Sequence, residues 1–173
     1  MALSAGRGSE KIYEVCRKMI KLLLSDIDGV LTDGKVTVDA QGNEIKTVNF
    51  TDMDAMGSFR QRGIKIGLIT GEKTPIVEYF KKRFRPDFFI CGCHTKDEAV
   101  KQLMEENGFT ANEVCYVGDG KYDLPVMPLV RVSACPANAI REVKAVVSIK
   151  LQTRGGDGAI KELLDILSDN GEV

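Results

Sequence analysis

The chain has 173 residues, of which 43% are hydrophobic and 28% are charged. A chain of this length is expected to form one domain with its own core, because ordinary domains hold roughly 100 to 200 residues. The formal net charge of −1 gives no electrostatic reason to expect binding to nucleic acid or to an anionic membrane. Any anion that the protein handles is therefore expected to bind at a local site.

The first twenty residues are interpreted as a leader and a short helix, and residues 21–173 as a single domain. The leader lacks the apolar core of a secretory signal, and no run approaches the ~20 apolar residues of a membrane span. Ser9 is a candidate N-cap for the helix, which is predicted over residues 9–20. We expect a cytoplasmic protein.

The five cysteines form an odd, scattered set, so a disulfide framework is not expected. "CGCH", from Cys91 to His94, is the one cluster that resembles a metal motif. Its one-residue spacing and the absence of a second pair favour a packed strand end over a zinc site.

The spacing of apolar residues predicts the elements in chain order. "KLLLSDI" is a buried strand over residues 21–27, and "KVTVDAQGNEIKTVNF" alternates around Gln41-Gly42-Asn43, which predicts a β-hairpin at about residues 35–50. Helices are then predicted over residues 51–63, 74–84, 95–108, 123–130, 138–144 and 158–167. Strands are predicted over residues 64–70, 87–91, 113–119, 131–135 and 145–149.

This alternation of apolar strands with helices predicts an α/β fold. The expected architecture is a doubly wound, Rossmann-like parallel sheet with a β-hairpin insertion and no separate cap domain. Ligands of such sheets bind outside the carboxyl ends of the strands.

Polar residues follow several of these strands and should meet at that edge. They are Asp26, Asp28, Thr70, Gly71, Glu72, Lys96, Gly118 and Asp119.

Carboxylates that converge at one edge repel each other unless a cation lies among them. Oxygen ligands from Asp26, Asp119 and a backbone carbonyl suit Mg²⁺. Thr70 and Lys96 offer a hydroxyl and a positive charge to a phosphoryl group. Asp26 is therefore a candidate nucleophile that forms an aspartyl-phosphate, and Asp28 a candidate acid and base.

Four stretches in order, "DIDGVLTDG", "LITGE", Lys96 and "GDGKYD", resemble the motifs of the haloacid dehalogenase superfamily of phosphatases. "DGVLTDG", the hairpin and "GGDGAIKELLD" look most like its capless tetrameric branch, which dephosphorylates 2-keto-3-deoxy sugar acids. That branch includes the 3-deoxy-manno-octulosonate 8-phosphate and nonulosonate 9-phosphate phosphatases, which make precursors of lipopolysaccharide or sialic acid.

The resemblance assigns roles to single residues. It implies that Asp26 is the nucleophile and a metal ligand, and that Asp28 is the general acid and base and binds metal through its carbonyl. Thr70, Gly71 and Lys96 would bind phosphate, Asp119 would bind Mg²⁺, and Asp123 would orient Lys96. It further implies a homotetramer built through the hairpin, with Val36, Val38, Ile45 and Val48 in the interface and a neighbouring subunit closing each site.

The substrate is expected to be chosen by residues after the second motif. Glu72 resembles the nonulosonate branch, with Arg83 as the basic partner for the substrate's carboxylate and Asp54 as a further contact. This favours a nonulosonate 9-phosphate, with 3-deoxy-manno-octulosonate 8-phosphate close behind. Glu72 as a solvated first-turn residue, Arg83 as part of a basic helix face and Asp54 as a helix-start residue remain alternatives.

Two positions depart from the family pattern. Gly120 stands where a side chain is expected near the metal's water shell, and Asp157 stands where a tail arginine is expected, with Arg154 three residues earlier. These departures keep a second hypothesis open, a non-catalytic binding or tetramerisation module of the same fold, which resembles one found in sialic acid activating enzymes.

Overall fold

The computed structural model describes residues 20–173. The leader, Cys16 and all but the last residue of the helix predicted over residues 9–20 lie outside this part. The strands are β1 Leu22–Ser25, β2 Thr37–Val38, β3 Glu44–Ile45, β4 Lys65–Ile69, β5 Phe88–Ile90, β6 Val114–Val117, β7 Val132–Cys135 and β8 Ile149–Lys150. The α-helices are α1 Phe50–Gln61, α2 Pro75–Phe84, α3 Lys96–Asn107, α4 Arg141–Val146 and α5 Ala159–Asp169.

The segment between β6 and β7 is a 3₁₀ helix over Leu124–Leu129, where the sequence predicted a short broken helix. Pro125 lies in its first turn and Pro128 lies inside it. Each proline lacks a backbone N–H, so the segment cannot complete the hydrogen bonds of a regular α-helix. A second 3₁₀ turn, Ala111–Glu113, precedes β6.

Six strands form one parallel sheet in the order β5-β4-β1-β6-β7-β8. The chain builds outward from β1 in one direction through β4 and β5, and then in the other through β6, β7 and β8. The reversal of strand order therefore falls at β1, where ligands bind in folds of this type. The predicted α/β fold with its parallel sheet is confirmed.

The central strand β1 is buried on both faces, which explains why its first three residues are all leucine. Leu23 packs in one core cluster with residues of α1 and α5, and Leu22 and Leu24 pack in a second cluster with residues of α3. Successive side chains of a strand point to opposite faces, so one short strand belongs to both cores. The residues after β1 are thereby fixed to a rigid support.

The strands β2 and β3 form the predicted hairpin, with Thr37 opposite Ile45 and Val38 opposite Glu44. Val38 and Ile45 are 57% and 55% exposed, and the register places them on opposite faces of the ribbon. Val48 is half-buried against the core of its own subunit, and its predicted place in an intersubunit contact stays a prediction.

A buried carboxylate joins the first and last helices. Asp52 in α1 accepts hydrogen bonds from the N–H groups of Gly158, Ile160 and Lys161 at the start of α5. These N–H groups have no partner within their own helix, so Asp52 serves as a cap supplied from elsewhere in the chain. Among residues 20–173, no helix has the length and apolar character that crossing a membrane requires.

Candidate active site

A cavity of ≈ 280 Å³ lies at the carboxyl ends of the central strands. The predicted site residues that line it are Asp26, Asp28, Thr70, Gly71, Glu72, Lys96, Asp119 and Asp123. Residues from four separate loops therefore meet at the edge of the sheet where the fold class places a ligand.

Asp26 is buried directly after β1, and its backbone N–H donates to the carbonyl of Val117 on β6. One carboxylate oxygen, Oδ1, accepts a hydrogen bond of 2.7 Å from the N–H of Ile27. The other, Oδ2, lies 3.0 Å from Nζ of Lys96. Both oxygens of the candidate nucleophile are thus held in place.

Lys96 is the buried first residue of α3, and it bridges two carboxylates. Its Nζ lies 2.7 Å from Oδ1 of Asp123 as well as close to Asp26. Burial alone would lower the pKa of Lys96, but the charges of Asp26 and Asp123 raise it above its ordinary value. The side chain therefore stays a cation, as the phosphate-binding role requires.

Both carboxylate oxygens of Asp123 accept hydrogen bonds that hold neighbouring parts of the site in place. Oδ1 also accepts from the hydroxyl of Tyr116 at 2.6 Å, and Oδ2 accepts from the N–H groups of Asp119 and Gly120. Asp123 consequently shapes the loop that carries Asp119 while it orients Lys96. The prediction that Asp123 orients Lys96 agrees with this contact and remains a prediction for the reaction.

Asp119 follows β6 and approaches the loop after β1 very closely. A Cβ atom on Gly29 would lie 2.0 Å from Oδ2 of Asp119, and Gly29 has φ +88. Only glycine fits both the contact and the left-handed backbone. Because Gly29 has no side chain, Asp119 in "GDGKYD" can lie close enough to "DIDGVLTDG" for one ion to contact both stretches.

Asp26, Asp119 and Asp123 each offer a carboxylate oxygen within 4.8 Å of the others. Burial and the charge of Asp123 raise the pKa of Asp119 to about 6, and the same two causes raise that of Asp26 despite Lys96. Crowded carboxylates with raised pKa values fit a divalent cation, which relieves their repulsion. Each oxygen of Asp123 already accepts from two donors, whereas each oxygen of Asp26 has one partner. Asp26 and Asp119 are therefore the carboxylates with capacity left to bind the ion.

The carboxylate of Asp28 does not belong to this group. Its Oδ1 lies 2.7 Å from Nζ of Lys46 and 3.3 Å from the hydroxyl of Thr32. Binding of a metal by Asp28 therefore depends on its backbone carbonyl, as the resemblance implies, and stays a prediction.

The loop after β4 forms the opposite wall of the cavity. The hydroxyl of Thr70 accepts from the N–H of Glu72, and the carbonyls of Thr70 and Glu72 accept from the N–H groups of Cys93 and Gly92. Two backbone N–H groups of "CGCH" thus hold the loop that contains Thr70.

The tail glycines pack against the loop after β1. A Cβ on Gly155 would lie 1.9 Å from the carbonyl oxygen of Gly29, and the N–H of Gly156 donates to the carbonyl of Val30. Asn138 connects the same segments, accepting from the N–H of Gly155 and donating to the carbonyl of Gly29. "GGDG" therefore holds the active-site loop of its own subunit.

Two predicted substrate contacts do not line the cavity. Asp54 is exposed on α1, and Arg83 is exposed in the last turn of α2 with its guanidinium 5.6 Å from the ring of Phe50. Neither side chain lines the cavity that Glu72 lines, and the predicted substrate contacts of both stay predictions. The positions of Asp54 and Arg83 in the sequence did not predict whether they line the cavity, because sequence position does not determine the direction in which a helix face points.

Lys46, which contacts Asp28, and three residues that line the cavity, His94, Lys121 and Tyr122, were not predicted as site residues. Lys46 occupies a polar position in the alternating pattern of the hairpin, and this pattern predicts a solvated side chain. In the structure its side chain is only 7% exposed. His94 and Tyr122 line the cavity with ring centroids 4.9 Å apart. Nothing in the local pattern of either segment indicates that the two rings meet.

Comparisons with known proteins identify the family to which the chain belongs. A family model described as haloacid dehalogenase-like hydrolase matches residues 90–163. The chain is 33% identical over 148 residues to 3-deoxy-D-manno-octulosonate 8-phosphate phosphatase of Haemophilus influenzae, covering 86% of this chain and 82% of that protein. The Escherichia coli K12 protein of the same name is 32% identical, with 86% and 79% covered.

Two solved structures share the fold. The cobalt-bound Haemophilus influenzae deoxy-D-mannose-octulosonate 8-phosphate phosphatase is 32% identical, with a TM-score of 0.83 and 90% of each chain covered. The Moraxella catarrhalis 3-deoxy-D-manno-octulosonate 8-phosphate phosphatase, solved with magnesium, phosphate and KDO, is 27% identical, with a TM-score of 0.84 and 94% of each covered. The names of these relatives confirm the predicted enzyme class, a phosphatase. The chain belongs to the haloacid dehalogenase superfamily.

Proposed function

We propose that this protein is a Mg²⁺-dependent phosphatase that hydrolyses the phosphate ester of a 2-keto-3-deoxy sugar acid through phospho-Asp26. The observation that carries the proposal is the placement of Asp26. Its two carboxylate oxygens are held by the N–H of Ile27 and by Nζ of Lys96. A carboxylate oxygen of Asp26 also lies within 4.8 Å of one of Asp119. A related phosphatase was solved with magnesium, phosphate and KDO. The Asp26 and Asp119 carboxylates and the carbonyl of Asp28 would hold the ion.

Asp26 attacks the phosphorus atom, and the bond from phosphorus to the sugar oxygen breaks. Lys96 and the hydroxyl and N–H groups of the Thr70 loop neutralise or bind the phosphoryl oxygens. When bound, Mg²⁺ supplies positive charge that lets the anionic nucleophile and substrate approach each other. Dividing the displacement into two steps lowers the barrier of each.

Asp28 is the general acid in the first step and the general base in the second. It protonates the departing sugar oxygen, and then takes a proton from the water that attacks the phosphorus of phospho-Asp26. The two aspartates are one residue apart after the same strand, so one loop supplies nucleophile and acid.

For the substrate, we propose a nonulosonate 9-phosphate first, because Glu72 lines the cavity and a carboxylate accepts hydrogen bonds from sugar hydroxyls. 3-Deoxy-manno-octulosonate 8-phosphate is the second candidate, which the names of the relatives favour. Arg83 and Asp54 do not line this cavity, so we assign them to substrate contacts only across a subunit boundary.

The hairpin is the proposed contact of a homotetramer. A two-stranded ribbon is marginally stable alone in water, and this one exposes Val36, Val38 and Ile45, while Phe50 beside it is 68% exposed. A second copy of this chain is the partner that we propose for these apolar residues. A neighbour placed there would also close a site that has no cap domain.

A screen for phosphate release tests the proposal. Purified protein in Mg²⁺ is given nonulosonate 9-phosphates, octulosonate 8-phosphate and common hexose phosphates in parallel. We expect the highest kcat/KM with a sugar acid; equal turnover of hexose phosphates would contradict the assignment. No turnover of any ester, together with an intact oligomer that does not bind Mg²⁺, would favour the non-catalytic module.

A further inference from the structure

Lys46 is the one hairpin residue whose side chain reaches the candidate active site. It directly follows β3, whose residues are exposed, yet its own side chain is 7% exposed. A lysine is seldom buried unless its charge is paired. Its partner is Oδ1 of Asp28, at 2.7 Å from Nζ.

The two oxygens of Asp28 have different surroundings. Oδ1 has both the ammonium of Lys46 and the hydroxyl of Thr32 as neighbours. Oδ2 is closed to bulk solvent and has no hydrogen-bond partner within residues 20–173. A buried carboxylate oxygen without a partner is destabilising unless a bound group supplies the missing hydrogen bond.

We propose that Lys46 is a positioning residue that holds Oδ1 of Asp28 and so reserves Oδ2 for proton exchange with the substrate's leaving oxygen. This inference rests on the proposed function, in which Asp28 is the acid and base. The hairpin thereby has a role inside its own subunit besides the proposed contact with neighbours.

The proton balance assigns each step to one atom. As Asp26 forms its bond to phosphorus, the phosphorus–oxygen ester bond breaks, and the proton on Oδ2 of Asp28 moves to the leaving oxygen. Water then attacks the phosphorus of phospho-Asp26 and gives its proton to Oδ2, while the bond from phosphorus to the Asp26 oxygen breaks. This step releases inorganic phosphate and restores both Asp26 and Asp28. Without Lys46, Oδ1 keeps only the 3.3 Å contact with the hydroxyl of Thr32, so the direction of Oδ2 is held less firmly.

The leaving group of the substrate separates this role from a structural one. An alkoxide leaves poorly unless it is protonated, whereas the phenolate of p-nitrophenyl phosphate leaves without an acid. General acid catalysis contributes about 10²–10⁴-fold. We expect Lys46→Met to lower kcat on the sugar acid phosphate by about 30-fold, with KM nearly unchanged, and to lower kcat on p-nitrophenyl phosphate by less than about threefold.

Two further variants sharpen the result. Lys46→Arg keeps a cation at this place and is expected to retain most of the alkyl-phosphate activity. In an Asp28→Asn background, Lys46→Met should cause no additional loss, because two residues that act through one another are not additive. Lys35→Met is the matched control, since Lys35 pairs with Asp33 at the surface with 77% of its side chain exposed, and we expect wild-type rates on both esters.

Parallel losses on both esters, or no loss on either, would overturn the role of Lys46. If Lys46→Met does not fold, as judged by circular dichroism, Lys46→Gln carries the same comparison of esters. Wild-type protein that hydrolyses neither ester would overturn the proposed function together with this inference, whereas an active wild type with parallel losses overturns this inference alone.

Discussion

The ammonium of Lys96 lies 3.0 Å from Oδ2 of Asp26 in the buried centre of the site. Nζ also lies 2.7 Å from Oδ1 of Asp123, so one cation offsets two carboxylates. The contact that prepares the nucleophile is therefore also part of the core, and a change to it should affect stability as well as activity.

Lys96→Met should destabilise the metal-free protein by about 3–5 kcal/mol, because breaking a buried ion pair leaves uncompensated charge. Urea unfolding in the presence of EDTA measures this. Lys65→Met is the control: Lys65 pairs with Asp87 at 2.8 Å but is 57% exposed, and an exposed pair contributes about 0–1 kcal/mol. Equal losses in the two variants would contradict the role given to Lys96 in the core.

Mg²⁺ should stabilise the protein more at pH 7.5 than at pH 5. The pKa of Asp119 is raised to about 6 from 3.8, with burial and Asp123 as the main causes. Between these values the folded state binds more protons than the unfolded state, so the stability of the metal-free protein falls as the pH rises. Above pH 6 Asp119 is ionised and ready to bind Mg²⁺.

Thermal unfolding with and without Mg²⁺ measures this difference. At ten times its dissociation constant, a ligand adds about 1.4 kcal/mol. Asp119→Asn should abolish the Mg²⁺ effect, and Asp33→Asn, a change to an exposed aspartate outside the cluster, should retain it. A Mg²⁺ effect that is equal at both pH values would contradict the link to Asp119.

Gly120→Asp should tighten Mg²⁺ binding. The nearest atom to a Cβ on Gly120 is Oδ2 of Asp123 at 3.7 Å, an ordinary contact, so the side chain fits. Partners around the ligands of a metal typically change its affinity about 10–100-fold, and we expect a gain of about tenfold in a Mg²⁺ titration of activity. The added charge should also lower the stability of the metal-free protein. Unchanged Mg²⁺ affinity would show that position 120 lies outside the ion's surroundings.

Val38→Lys together with Ile45→Lys should convert the proposed tetramer to smaller species. The two residues expose apolar surface on opposite faces of the hairpin, and buried lysines in an interface carry a desolvation cost. Light scattering after size-exclusion chromatography measures the mass. Val146→Lys, at a valine of α4 that is 55% exposed, is the control and should leave the mass unchanged. A monomeric wild-type protein would contradict the proposal directly.

Much of the fold was accessible from the pattern of apolar residues. β1 is short and wholly buried, and a parallel sheet covered on both faces requires such strands. Its position before Asp26, together with the rule that ligands bind at the carboxyl ends of strands, predicted where the carboxylates gather. Asp26 and Thr70 meet there because each follows its strand directly, and Lys96 because it begins the helix after β5.

Contacts between segments distant in the sequence were not accessible. The burial of Lys46 depends on how the hairpin folds back over Asp28, 18 residues earlier, and an alternating pattern does not specify that angle. Asp52 reads as a first-turn residue of its own helix, whereas it caps α5, 106 or more residues later. Arg83 does not line the cavity that Glu72 lines, and its predicted contact with the substrate stays a prediction.

The central claim is that Asp26 carries the phosphoryl group. The most direct measurement is acid quenching of the enzyme during turnover of a sugar acid phosphate in Mg²⁺, followed by borohydride reduction and peptide mass spectrometry. We predict that an aspartyl-phosphate at residue 26 is reduced to homoserine there, and that Asp26→Asn shows no such product and loses at least about 10⁴-fold in kcat. An unmodified Asp26 in a rapidly hydrolysing enzyme, or near-normal activity of Asp26→Asn, would contradict the mechanism.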